Sequence, residues 1–154
     1  MTRDRKAKAE EDRHVGFRWL AREAGLHGEA EAEAVFRTVS RTLSRRIGPE
    51  ETRHLAAHMP LGLRDVWHEE TGDVIDATRF GLDQLVGDVQ DELRIPDPLD
   101  ARWLVQIVFA WLRHLAPEER ADVAARLPRD IRDLWDHATL AEIAVADRHA
   151  LRTP

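Results

Sequence analysis

The feature that most constrains this chain is an internal duplication. Residues 47–67 read IGPEETRHLAAHMPLGLRDVW and residues 115–135 read LAPEERADVAARLPRDIRDLW, so Pro49 and Pro117, Pro60 and Pro128, and Trp67 and Trp135 each stand 68 positions apart. The register runs upstream without a gap, where Val35, Val39 and Leu43 face Trp103, Ile107 and Trp111. Dropping one residue between His27 and Val35 then brings Phe17, Leu20, Ala24 and Leu26 onto Val86, Val89, Leu93 and Ile95. A repeat of this kind is a supersecondary unit that buries its apolar face against its neighbour. At 154 residues the chain is long enough to bury about 70% of its unfolded surface without a metal or disulfide staple.

Each unit divides into the same helices by 3.6-residue periodicity and by helix punctuation. The first helix carries Phe17, Leu20, Ala21 and Ala24 in one copy and Leu82, Leu85, Val86, Val89 and Leu93 in the other, ending near Gly25 or Arg94. The second runs from about Glu29 to Ile47, and its copy opens at Asp97-Pro98, a cap residue before a first-turn proline. Two short helices follow in each copy, opened by Pro49 and Pro60 and by Pro117 and Pro128, because a first-turn amide has no intrahelical acceptor to lose. Thr71-Gly72-Asp73 interrupts the pattern, and only Val74 and Ile75 hint at extended chain. The expected fold is therefore all-α: two pseudo-symmetric repeat units of about four helices each, packed as one domain with a C-terminal helical extension. The expected divisions are a frayed, charged segment at 1–14, a first repeat at 15–70, a linker at 71–76, a second repeat at 77–137 and the extension at 138–154.

The copies differ in their second helix. Val35, Phe36, Val39 and Leu43 lie opposite Arg37, Arg41 and Arg45, whereas residues 103–112 read WLVQIVFAWL and are apolar on every side. A helix apolar all round has to be covered all round. The expected cover is a helix over 138–151, with Leu140, Ile143, Ala144 and Leu151 on one stripe, lying across Val105, Val108, Phe109 or Leu112. The alternative cover is a second subunit meeting Trp103, Phe109 and Trp111.

The repeated phrase is an acidic pair, a small apolar run, Leu or Met before proline, and then Arg-Asp-x-Trp. It stands as Glu50-Glu51, Leu55 to Pro60 and Leu63 to Trp67, and again as Glu118-Glu119, Val123 to Pro128 and Ile131 to Trp135. In this phrase and in the tandem long-helix unit the chain resembles, over about Val15 to His137, the bacterial family called domain of unknown function 2267. That resemblance implies the helical fold and brings no activity with it.

Composition narrows the chemistry. The chain has no cysteine, which removes thiol catalysis, disulfides and thiolate metal sites. Residues 1–14 carry both charge signs and no apolar core of a secretory signal, and the run at 103–112 is far short of the ~20 residues that span a bilayer. A cytoplasmic protein without membrane attachment is expected. A net charge of −6, with the signs interleaved, gives no field that draws the chain to nucleic acid.

Three constellations compete with plain packing. His54 and His58 stand one helical turn apart, a spacing that lets two imidazoles share a metal ion. Glu50 lies a further turn upstream, but about 12 Å from His58 along the axis, too far for one ion to reach both. The matching positions Glu118, Asp122 and Arg126 make a salt-bridge ladder, so the expectation is a solvated face without metal. Arg37, Arg41 and Arg45, with Arg46 and Arg53 nearby, form the basic stripe, expected as a water-facing helix side balanced by Glu29, Glu31 and Glu33 upstream; guanidinium groups suit phosphates, yet no aromatic residue interleaves to stack on bases. Pro60 follows the preceding helix too closely for a helix-turn-helix, and the next helix sets Arg64 against Asp65, Glu69 and Glu70.

Trp67 and Trp135 recur at matched positions and read as packing residues. Trp19 lies about 160° around its helix from Phe17 and is the leading interface residue, followed by Trp103, Phe109 and Trp111. No glycine-rich phosphate loop, Ser-His-Asp set or nucleophile elbow is present. The chain thus reads as a non-catalytic helical interaction module with no cofactor, directed at an unidentified protein partner or at itself. Phosphate or nucleic-acid binding through Arg37, Arg41 and Arg45, and a metal-dependent enzyme built on His54 and His58, are the alternatives.

Overall fold

The computed structural model describes residues 2–140, which contain eight α-helices and one 3-10 turn and no strand. The helices are α1 (Thr2–Ala24), α2 (Glu29–Ile47), α3 (Pro49–Ala57), α4 (Leu61–Thr71), α5 (Leu82–Leu93), α6 (Pro98–Leu115), α7 (Arg120–Ala125) and α8 (Arg129–His137), with the 3-10 turn at Pro117–Glu119. No helix among the described residues is long and apolar enough to cross a membrane.

The punctuation acts where the local chemistry requires it. Pro49 and Pro98 open α3 and α6, and the Asp97 carboxylate accepts the Leu99 N–H at 2.8 Å. Helices α1 and α5 end in the same way: Gly25 and Arg94 take the left-handed conformation at φ 70° and 56°. The next amide then reaches back, Leu26 N–H to the Ala21 carbonyl at 2.8 Å and Ile95 N–H to the Gln90 carbonyl at 2.9 Å. This satisfies carbonyls that a helix end otherwise leaves open.

Helices α2 and α6 form the centre. Helix α1 packs on α2 and α4, α5 on α2 and α6, and α8 on α6, around one continuous apolar core. Phe36 of α2 stands 5.7 Å from Phe17, 6.3 Å from Trp67 and 5.5 Å from Trp111, so an aromatic cluster crosses from the first half of the chain into the second. Trp67 and Trp135 are fully buried. Their indole N–H groups donate to the Thr52 and Arg120 carbonyls at 3.0 and 3.1 Å, each fifteen residues upstream. A buried indole needs such a partner to avoid a stranded donor.

Four expectations are corrected. Residues 1–14 are not frayed among the described positions, because α1 begins at Thr2 and docks on α4. Ala9 is buried against Gly62, where an added Cβ would stand 1.9 Å from the Ala9 carbonyl oxygen, and the Asp12 carboxylate accepts the Gly62 N–H at 3.3 Å. Alternating charges at 1–14 concealed a helix that needs only one small residue to dock. The arginine side of α2 is not left to water either: α4 and α5 cover it, and Thr38, Ser40, Thr42 and Ser44 are buried. Thr42 and Ser44 donate to carbonyls of their own helix, which spares the hydroxyls a buried vacancy.

The cover over α6 is also different. Val105, Val108, Phe109 and Leu112 are fully buried, with α1, α2, α5 and α8 packed on α6. Ala138–Leu140 is not helical; it lies extended with Ala138 and Leu140 buried, held where Arg113 donates to the Ala138 carbonyl at 2.7 Å. The remainder of the expected 138–151 helix lies outside the described residues. Finally, the break between the halves runs past 71–76, since α5 begins only at Leu82, and Thr78 N–H donates to the Arg45 carbonyl within it.

Candidate functional site

Arg37 projects from α2 into a carboxylate cage. Its Nε donates to Glu33 at 3.0 Å, Nη2 to Glu69 at 2.8 Å and Nη1 to Glu70 at 3.2 Å. Burial disfavours its charge, but the bonds to Glu69, Glu33 and Glu70 outweigh this and hold the guanidinium above its ordinary range. Glu33 shows the converse: burial would raise its pKa, and hydrogen bonds from Arg37 and Arg13 bring it below the usual carboxylate value. Arg41 bonds Glu70 at 3.0 Å and pairs with Glu92 of α5 at 2.6 Å. Two of the three expected phosphate residues, Arg37 and Arg41, are therefore occupied by acids from α2, α4 and α5. Arg45 alone of the stripe is exposed. A phosphate would have to displace carboxylates already bonded to these guanidiniums, Glu70 to both of them, so the stripe works as an internal clasp.

The tryptophans divide. Phe109 is fully buried, 5.4 Å from the Trp135 ring, and Trp111 is 5% exposed within the Phe17 and Phe36 cluster. Phe109 belongs wholly to the core, which corrects its assignment to an interface, whereas Trp111 packs in the core and reaches the surface only in the floor of a groove. Trp103 remains 41% exposed, one turn after Leu99 on α6. Trp19 is half-buried, its ring 5.5 Å from Trp111. Trp19 and Trp111, but not Trp103, floor a groove of about 570 Å³ between α1, α4 and α6. Val15, Leu63 and Leu140 add apolar lining, and Lys8, Glu11, Asp12 and His114 also line it. Val15 is 58% exposed on its lip.

His54 and His58 are exposed on α3, as the helical spacing predicts, but Glu50 is not their partner. They face the 3-10 turn. His54 Nδ1 stands 3.6 Å from carboxylate oxygens of both Glu51 and Glu119, and His58 Nε2 stands 3.7 Å from Glu119. The Glu51 side chain is only 1% exposed, and its pKa is pushed up to about 7 by burial and by the neighbouring Glu119 carboxylate. Arg126 Nε lies 4.0 Å from Glu51, beyond hydrogen-bonding reach. Glu51 and Glu119 were missed by spacing along one helix. The signal was in the repeat register, which makes them equivalent positions and also makes the His58–Glu119 and Arg126–Glu51 contacts reciprocal.

Residues 18–134 match the family described as uncharacterized conserved protein (DUF2267). No curated protein matches the chain.

Proposed function

We propose, for a chain that belongs to the DUF2267 family, the role of a non-catalytic helical protein-interaction module whose contact surface is the groove floored by Trp19 and Trp111. The observation that carries this reading is the groove itself: two indoles and Val15, Leu63 and Leu140 give a trough a mainly apolar lining, to which Lys8, Glu11, Asp12 and His114 add polar groups. Apolar grooves between helices with a polar margin suit one face of an amphipathic helix, read through side chains one turn apart. Trp19, half-exposed in that trough, suits a contact site because Trp contributes large buried area at little conformational cost. The occupant we assign is an amphipathic helix of another protein.

The two halves are read as copies of one helical unit. The equivalent indole hydrogen bonds, the equivalent helix ends at Gly25 and Arg94, and the reciprocal Glu51 and Glu119 contacts support this reading. The closed arginine clasp favours the interaction reading over phosphate binding, since it leaves Arg45 without a converging basic neighbour from the stripe.

A photo-crosslinking amino acid at Val15, compared with one at exposed Arg102 on α6, tests the groove in cells. One partner chain captured from position 15 and not from 102, and lost when Trp19 is changed to Glu, is expected. Capture of a second copy of this chain would replace the partner with self-association. Equal capture from both positions, or capture indifferent to Trp19→Glu, would remove the groove as the contact surface.

A further inference from the structure

Outside the groove, the seam between α3 and the 3-10 turn holds the most unusual chemistry in the fold. Glu51 sits in the first turn of α3, 1% exposed, yet its Oε2 receives no hydrogen bond. Nor does it cap its helix, because the Gly48 N–H in front of it is committed to the Ser44 carbonyl. A buried carboxylate oxygen without a donor is costly, and such groups in folded proteins call for a specific explanation. Its nearest acidic neighbour deepens the problem. Glu119, 12% exposed, presents a second carboxylate to the same point, while the nearest guanidinium, Arg126, stays 4.0 Å away.

The distances indicate what the point suits. His54 Nδ1 lies 3.6 Å from Glu51 Oε1 and 3.6 Å from Glu119 Oε1, and His58 Nε2 lies 3.7 Å from Glu119 Oε2. These are too long for hydrogen bonds, which fall at about 2.7–3.2 Å. They are close to the spacing of donors around one ion: two ligand atoms each about 2.1 Å from a tetrahedral metal stand about 3.4 Å apart. One ligand atom from each of Glu51, His54 and Glu119 lies within 4.8 Å of the others, so the three side chains converge on one point.

We propose that Glu51, His54 and Glu119 form a binding site for a first-row transition-metal dication, with His58 placed to supply a fourth ligand. Two carboxylates with imidazole nitrogen suit zinc, manganese or ferrous iron better than magnesium or calcium, which take oxygen. The ion neutralises the two facing carboxylates, one of which the protein leaves short of a hydrogen-bond donor. It also ties α3 to the 3-10 turn, and so the first half of the chain to the second. The second copy's Asp122 and Arg126 stand where the first has His54 and His58, so the repeat holds one such site between its halves, not two.

Full-length protein stripped with chelator and titrated with zinc chloride, then with manganese chloride, in a calorimeter provides the test. One ion per chain at micromolar affinity or tighter is expected for at least one of the two metals, with a rise in melting temperature on addition and its reversal by chelator. Loss of a direct ligand in His54→Ala should weaken binding about 10-fold or more. His54 is exposed, so this variant keeps its fold, whereas Glu51→Gln changes a buried group and is read beside a circular dichroism spectrum. His68→Ala, exposed on α4, is the control and should bind as the parent does. Cobalt bound to the parent should give ligand-field bands in the visible that His54→Ala loses. Absence of saturable binding for both metals, or binding equal in the parent and in His54→Ala, would overturn the site and leave two carboxyls sharing a proton.

Discussion

Replacing Gly62 with alanine isolates the contact that docks the first half of α1. The new Cβ would stand 1.9 Å from the Ala9 carbonyl oxygen and 2.9 Å from its carbon, both backbone atoms that no rotamer change can move. Ordinary carbon–oxygen contacts begin near 3.3 Å, so α1 must withdraw from α4 by about 1.4 Å. Overpacking of this kind costs about 1–3 kcal/mol. The withdrawal also stretches the Gly62 N–H bond to Asp12, already 3.3 Å long, and the Arg5–Asp65 pair at 3.7 Å. Alanine's better helix propensity returns only about 0.5–1 kcal/mol. A net loss of about 1–2 kcal/mol should lower the melting temperature by roughly 2–8 °C in a domain of this size. Thermal unfolding by circular dichroism measures the loss, and hydrogen exchange should show faster exchange confined to the N-terminal turns of α1. Gly87→Ala serves as the opposite case, since a Cβ there meets nothing within 4 Å inside α5 and should stabilise. A Gly62→Ala protein as stable as the parent, with α1 equally protected, would refute the close-approach argument.

Other substitutions test other parts of the same frame. Arg94→Gly removes a non-glycine residue from the left-handed region at φ 56° and should stabilise by about 0.5–1 kcal/mol in chemical denaturation; a loss would mean that the arginine side chain contributes more than its backbone costs. Arg37→Ala leaves Glu33, Glu69 and Glu70 to repel one another and should cost about 1–2 kcal/mol, discounted for partial exposure, with Arg37→Lys recovering only part because one ammonium cannot serve three acids in this fork. In chelator, the folded Glu51 retains its proton to about pH 7 amid Glu118, Glu119, Asp122, His54, His58 and Arg126, whereas the unfolded side chain loses it near 4.5. This group's contribution is therefore fully present below about 4.5 and is lost as pH rises toward 7, on the order of 3 kcal/mol in all. The difference in stability between the parent and Glu51→Gln, followed across that window, should drift against the parent, and a flat difference would remove the buried-carboxyl account.

The repeat register and the prolines made most of the helices legible, because first-turn prolines and apolar spacing act locally and do not depend on what surrounds them. Helices α3, α4 and α6 open at Pro49, after Pro60 and at Pro98 for that reason. What stayed hidden depends on pairs distant in the chain. Arg37 and Arg41 looked like a water-facing stripe because Glu69, Glu70 and Glu92 lie far from them in sequence, and nothing in the α2 segment names its partners. Residues 1–14 looked frayed because helix docking through Ala9 and Gly62 needs smallness on both sides, and smallness leaves no apolar stripe to read.

The candidate cation site shows the same division at its sharpest. Reading along α3 joined His54 and His58 to Glu50, the residue on their own face, and judged that set too long for one ion. The fold instead turns α3 toward its own counterpart, so that Glu51 meets Glu119 and the contact from His58 to one is answered by the contact from Arg126 to the other. In the 68-residue sequence register Glu51 corresponds to Glu119 and His58 to Arg126, so each of these contacts joins one position to the equivalent of its partner. A repeated carboxylate placed there creates a like-charge pair by necessity. The chain then has to neutralise it with a proton, a cationic side chain or an ion. His54 and His58, in the sequence register of Asp122 and Arg126, supply imidazoles from the α3 side, and Arg126 leaves a guanidinium on the other. The functional question for this seam is therefore which of those three neutralises Glu51, and metal titration separates them because only the ion makes binding depend on His54.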